Sequence, residues 1–287
     1  DLIRYIKIKM KNHFIYNIFI IFLTLYGSII SLNEKNVLSD FDMQAPIIKE
    51  EMISKINSLN TTWTAGVNKR FIGQSIKQAK NLLGLLPNPK EKKLTLKQFT
   101  VRKDLPENFD LREQYPNCES LRDIRDQSTC SSCWAFGAAE AMSDRICIMS
   151  NQKITNVRIS VDDVLACCTD CGVGCQGGYP FSAWDYFRDH GVVTGGNYQE
   201  KGICKPYSFR PCDDGDRTGS YGPCDFDVET PVCKQECDSS YGKDYNEDKW
   251  YGADSYSLYG GEEQMMTEIY ERGSIEVGYS VYEDFFS

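Results

Sequence analysis

A chain of 287 residues, 41% hydrophobic and carrying 13 cysteines, can bury one large core or two smaller ones. An odd cysteine total of this size excludes a reducing cytosol unless metal is bound, and only Cys130/Cys133 and Cys168/Cys171 have the C-x-x-C spacing expected of paired zinc ligands. With His13 and His190 as the sole histidines, no metal or cofactor is expected, and an oxidised framework with one spare thiol fits the count.

The chain opens at Asp1, and Met10 is the first methionine able to initiate it. Lys11 followed by the apolar run from Phe14 to Ile30 reads as a secretory signal, with a membrane anchor as the competing reading. Asn17, Thr24 and Gly27 interrupt the run, so cleavage near Gly27 to Ser31 and no stable membrane anchor are expected.

Charge then divides the rest. Residues 31–104 hold 13 basic and 7 acidic side chains, a balance of +6, and residues 105–287 hold 15 and 33, a balance of −18. All 13 cysteines lie at or beyond Cys118. A basic, cysteine-free segment ahead of an acidic, cysteine-dense one suggests a detachable partner, two domains with unrelated surface charge being the alternative. The acidity of the second part argues against nucleic acid as a partner. The expected division is a signal region at 1–30, a basic segment at 31–104 and an acidic domain at 105–287, incomplete at its C-terminus.

In the basic segment, Ile48, Met52, Ile56 and Leu59 recur at helical spacing, and a second stripe runs Ile72, Ile76, Ala79, Leu83 before Gly84 and Pro87 end it. Two short amphipathic helices need another surface to cover their apolar faces. Asn60-Thr61-Thr62 is the chain's one glycosylation sequon.

The chemistry is concentrated in QSTCSSCWAF, Gln127 to Phe136. Ala135, Ala138, Ala139, Met142, Ile146 and Met149 follow helical periodicity, which places Cys133 in the first turn of a buried helix. Free N–H groups and the helix dipole there favour a thiolate, the nucleophilic form. Gln127, six residues earlier, is close enough to offer its amide to a developing oxyanion. On spacing alone, a Cys130–Cys133 disulfide is the competing reading.

QSTCSSCWAF resembles the nucleophile segment of papain-family cysteine proteases. The likeness to the cathepsin B type extends from NTTWTAG at Asn60–Gly66 through LPENFDLREQYPNC, GCQGGYP and YGADSYS to SVYEDF. It implies an α+β, papain-like two-domain fold, disulfide-rich, with a helical left domain and an incomplete β-barrel right domain. It implies Cys133 as nucleophile, Gln127 as oxyanion donor, and Gly177, Gly178 and Trp134 as substrate-binding residues. The disulfides it implies are Cys118–Cys147, Cys130–Cys175, Cys167–Cys233, Cys168–Cys171, Cys204–Cys237 and Cys212–Cys224. The third and fifth are expected to staple the most distant segments, about 3–5 kcal/mol each by loop closure. The partners implied are protein and peptide substrates and the chain's own prosegment as an intramolecular inhibitor. The location implied is the secretory pathway, lysosomal or extracellular.

The chain departs from the family pattern in four places. Ser128 and Ser131 stand where the family has glycine, and Ser131 is placed to narrow the primary specificity pocket or tilt the loop. The Cys212–Cys224 loop resembles the family's occluding loop, but Asp213, Asp214 and Gly215 occupy the neighbourhood of its paired histidines. Carboxylates there would repel a substrate's terminal carboxylate, so an endopeptidase with weak dipeptide trimming is expected. The fourth departure is the missing catalytic histidine. His190 ends the pattern PFSAWDYFRDHG and suits the dipole of a helix end. After a helix at Glu262–Glu271 closed by Gly273, Ile275, Val277, Tyr279 and Val281 alternate as a strand. The chain is expected to be the front part of a longer product whose histidine follows, and inactive by itself. A catalytically silent homologue with a binding or regulatory role is the alternative function.

Overall fold

The computed structural model describes residues 43–89, 95–212, 221–226 and 228–286. The apolar run expected to be a signal, and the loop residues Asp213 to Arg217, lie outside them.

Two short helices, α1 (Glu50–Ser58) and α2 (Ile76–Lys80), form the first part, with a tight turn at Lys69–Phe71 between them. Ser75 opens α2 with a capping box: its hydroxyl accepts from the Gln78 N–H while the Gln78 side chain accepts from the Ser75 N–H. Both helices are shorter than their apolar stripes predict, and Leu59, Ile72 and Leu83 are exposed. For α2 the physical reason is competition for carbonyls. Those of Asn81, Leu82 and Gly84 bond to the second segment, so the chain leaves the helix after Lys80. Ile47, Phe71 and Ala79 are instead buried around Phe286, whose ring meets that of Phe71 edge-on at 5.0 Å.

The second part opens with a one-turn helix, α3 (Leu111–Gln114), and is built around α4 (Cys133–Met149). Trp134, Ala135, Ala138, Ala139 and Met142 of α4 pack on Val161, Val164 and Leu165 of α5 (Val161–Cys167) and on Ala183 and Phe187 of α6 (Pro180–Asp189). Three alanines on one face allow the neighbouring helices to approach closely. Met149, expected in this buried stripe, falls in the last turn and is exposed. The Ser160 hydroxyl caps α5, and Pro180 sits in the first turn of α6, where its missing N–H costs nothing. The last helix, α7 (Glu262–Arg272), closes on Gly273 at φ 97°.

Two parallel pairs supply the strands among the described residues: β1 (Leu96–Lys97) beside β4 (Ser257–Leu258), and β2 (Gly195–Gly196) beside β3 (Lys205–Pro206). The strand predicted at Ile275–Val281 is not formed, because no neighbour supplies a ladder there among the described residues. Six disulfides join Cys118–Cys147, Cys130–Cys175, Cys167–Cys233, Cys168–Cys171, Cys204–Cys237 and Cys212–Cys224. The widest loops, of 66 and 45 residues, are closed by Cys167–Cys233 and Cys130–Cys175, so the second bridge takes the place expected for Cys204–Cys237, which spans 33.

Candidate active site

Cys133 is the one free cysteine, half-buried, and it is the first residue of α4. Ser132 precedes it without capping the helix through its side chain, which leaves first-turn N–H groups available beside the thiol. The thiol is covered by the prosegment. The Gly84 N–H donates to Cys133 Sγ at 3.1 Å, and Gln127 Nε2 donates to the Leu82 carbonyl at 3.0 Å. Gln127 and Cys133, predicted to act on one carbonyl, therefore lie against the same short stretch of chain. Burial pushes the Cys133 thiol above its ordinary range, against the pull of the Gly84 and Trp134 N–H groups, and nearby Glu276 adds to the upward shift. The helix terminus alone led to the opposite expectation, a thiolate, and burial outweighs it.

Gly178 holds the other side of the segment. Its N–H donates to the Gly84 carbonyl at 2.8 Å and its carbonyl accepts from the Leu86 N–H at 3.0 Å, a short parallel bridge. A Cβ on Gly178 would lie 2.5 Å from both the Cys171 carbonyl and the Trp134 ring, so only glycine fits. Gly177 lies under the same stretch, where an added Cβ would come within 2.9 Å of the Gly84 carbonyl. Trp134, which the resemblance places among the substrate-binding residues, is 1% exposed beneath the covering segment, and its Nε1 donates to the Gly174 carbonyl at 3.2 Å. Its ring lies directly under Gly178.

The two serines that the resemblance sets in place of glycine are each accommodated. Ser128 has φ 57°, a left-handed conformation that costs a side-chain residue about 1–2 kcal/mol. Its N–H donates to Asp126 Oδ1 at 2.6 Å, which offsets part of that cost. Ser131 donates from Oγ to the Asn81 carbonyl at 2.7 Å, so it grips the prosegment.

Three residues of the site escaped the sequence reading. Buried Tyr207 donates to the Gln127 carbonyl at 3.0 Å and shares a 2.8 Å hydrogen bond with Ser132 Oγ, tying the oxyanion donor to the residue before the thiol. Glu276 and Trp184 lie on a cavity of about 700 Å³ that Leu85 of the prosegment also lines. Burial pushes the Glu276 carboxyl up to about 8, although Trp184 Nε1–H donates to its Oε2 at 2.8 Å. A single tyrosine and a lone acid within an apolar alternation carry no pattern to find. His190 caps the far end of α6, about 15 Å of helix from Pro180, and stacks on Tyr186 at 5.0 Å. Among the described residues no histidine bonds to Cys133.

Residues 105–287 match the papain family cysteine protease profile. The chain belongs to that family. Residues 48–89 match the peptidase family C1 propeptide, the part whose end crosses the thiol. The chain is 42% identical over 246 residues to "Cathepsin B-like cysteine proteinase 6" of Caenorhabditis elegans, covering 83% of this chain and 65% of that protein. It is 38% identical over 266 residues to a "Cathepsin B-like cysteine proteinase" of Schistosoma japonicum, covering 91% and 77%. A solved structure described as "proCathepsin B S9 from Trypanosoma congolense" superposes with a TM-score of 0.66 at 32% identity, over 79% of this chain and 70% of that one. The papain-family chain thus spans just under two thirds of the first of these relatives.

Proposed function

We propose that the full-length protein is a cathepsin B-like peptidase made as a zymogen, and that Cys133 is its nucleophile. The observation that carries the reading is the passage of residues 81–86 across the cleft, touching Ser131, Gln127, Cys133 and Gly178 in turn through main-chain atoms. A cleft that reads main chain is suited to peptides of varied sequence. In a substrate complex, Cys133 Sγ attacks the scissile carbonyl. The Gln127 amide and the Cys133 N–H receive the charge that develops on its oxygen, and the acyl-enzyme is then hydrolysed by water. A histidine is needed to take the thiol proton and return it to the leaving amine, and His190 is badly placed for it. The chain is proposed to enter the secretory pathway and act in a lysosomal or extracellular space. No helix among the described residues is long and apolar enough to cross a membrane. The test is hydrolysis of a fluorogenic peptide by full-length protein freed of its prosegment. A silent homologue would show none.

The prosegment, residues 31–104, is proposed as the intramolecular inhibitor. Arg70 approaches Asp126 to 3.7 Å, and Arg102 approaches Glu271 to 3.8 Å, in keeping with the opposite charges of the two parts. Exposed pairs of this kind are worth under about 1 kcal/mol each. Inhibition by the separate prosegment should be tighter near pH 7 than near pH 4, where carboxylates protonate, and equal inhibition would refute the charge argument. The finer proposal is an endopeptidase with weak dipeptide trimming. It rests on Asp213, Asp214 and Asp216, with Arg217 the one cation between Cys212 and Cys224. Comparing one peptide with a free and an amidated C-terminus tests it: a strong preference for the free acid would overturn the proposal.

A further inference from the structure

Residues 95–102 lie between the two family matches, which end at 89 and resume at 105. They run as an extended strap in which Lys97, Phe99 and Val101 are half-buried while Leu96, Gln98 and Thr100 are exposed, the alternation of a strand on a surface. The main chain of the strap is read along its length. Ser257 N–H donates to the Thr95 carbonyl at 2.8 Å and Tyr259 N–H to the Lys97 carbonyl at 3.0 Å. Where β4 stops, the side chain of Gln264 continues its work. The Phe99 N–H donates to Gln264 Oε1 at 2.7 Å, and Gln264 Nε2 donates to the Phe99 carbonyl at 2.7 Å. One amide thus satisfies both polar groups of a residue, as a neighbouring strand would. The Arg102 N–H then donates to Thr267 Oγ1 at 3.3 Å. With the strap in place Gln264 is 1% exposed and Thr267 fully buried.

Side chains add a sequence preference. The Phe99 ring meets Tyr256 edge-on at 5.7 Å, and the Arg272 guanidinium lies 4.0 Å from its centre. Lys97 pairs with Asp254 and lies 4.5 Å over Tyr256, and Arg102 lies 5.0 Å over Tyr270. None of these contacts uses Cys133, Gln127 or Gly178. We propose that the face made by β4 and α7 is a second peptide-binding site, separate from the cleft. Its occupant is an extended basic peptide with a central aromatic residue, in the first place the chain's own strap. The strap stays bound once it is no longer joined to the catalytic domain, since the lost bond takes none of these contacts with it. Strand addition of this kind draws affinity from main-chain bonds and specificity from alternate side chains.

The experiment measures binding and so does not depend on the catalytic reading. Full-length protein carrying Cys133→Ala, with the segment ahead of residue 105 removed, is titrated with a fluorescent synthetic peptide of residues 95–104. Saturable binding tighter than about 100 μM is expected. Phe99→Ala in the peptide should weaken it about tenfold through loss of the ring contacts. Gln264→Ala in the protein should weaken it about tenfold, and Gln264→Glu, which sets a buried acceptor against the Phe99 carbonyl, at least as much. An unlabelled peptide of residues 78–88 should not displace the probe. No saturable binding, equal binding of a scrambled strap, or displacement by the 78–88 peptide would each overturn the proposal. The Phe99→Ala peptide keeps the test decisive should the Gln264 variants fail to fold.

Discussion

The Gly84 N–H donates to Cys133 Sγ across 3.1 Å, and a Cβ on residue 84 would lie 1.9 Å from the Ser131 carbonyl oxygen. The prosegment can therefore sit this close to the thiol only because residue 84 has no side chain. Gly84→Val in the full-length zymogen should lift the segment away. Alkylation of Cys133 by iodoacetamide should then run at least tenfold faster than in the unmodified zymogen. An unchanged rate would show that Gly84 does not set the approach.

The thiol's acidity should change with processing. In the zymogen, burial raises the Cys133 pKa more than the Gly84 and Trp134 N–H groups lower it. Removing the prosegment takes away the Gly84 bond but opens the thiol to water, and because burial is the larger influence the pKa should fall. The pH profile of alkylation should have its inflection above the ordinary thiol range in the zymogen and move to lower pH in the processed protein. An inflection that stays in place would contradict this.

Tyr207 should act by position. It bonds to both the Gln127 carbonyl and Ser132 Oγ, residues that flank the thiol. Tyr207→Phe keeps the ring and its packing on Phe136, at 4.9 Å, and loses both bonds. In processed full-length protein, kcat should fall about tenfold with KM little changed, because a misplaced oxyanion donor affects the transition state most. A fall confined to KM would assign Tyr207 to substrate binding instead.

Glu276 should make stability depend on pH. Its carboxyl is raised to about 8 in the folded protein by burial, so the folded state favours the protonated form. The sign follows from linkage: its contribution is fully present at low pH, and is lost progressively as pH rises from the ordinary carboxylate range through about 8. Glu276→Gln should match the parent in an acid melt near pH 4 and exceed it clearly near pH 8.5, each pKa unit being worth about 1.4 kcal/mol. Equal stability at both would place Glu276 in contact with water.

What the sequence revealed, it revealed through local pattern. The periodicity after Cys133 marks α4, and Gly273 marks the end of α7. The spare thiol follows from an odd cysteine count in an oxidising setting. Contacts across long separations were not legible. The bond from Ser131 to Asn81, the clasp of Gln264 on Phe99 and the link from Tyr207 to Gln127 join residues 50, 165 and 80 positions apart. Alternation misled at Ile275–Val281 for the same reason: a strand needs a partner, and local pattern does not report one. Nor was it legible that Trp134, one helical step of about 100° from the nucleophile, turns into the core.

The central claim is that Cys133 is the nucleophile in a cleft the prosegment closes, and a covalent label tests it most directly. Processed full-length protein is treated with a peptidyl thiol-directed inactivator while turnover and mass are followed together. The account predicts one adduct, located on Cys133, with residual activity falling in proportion to labelling. Zymogen treated alongside should label far more slowly. Complete labelling of Cys133 with undiminished turnover, or loss of turnover with Cys133 unlabelled, would contradict the account.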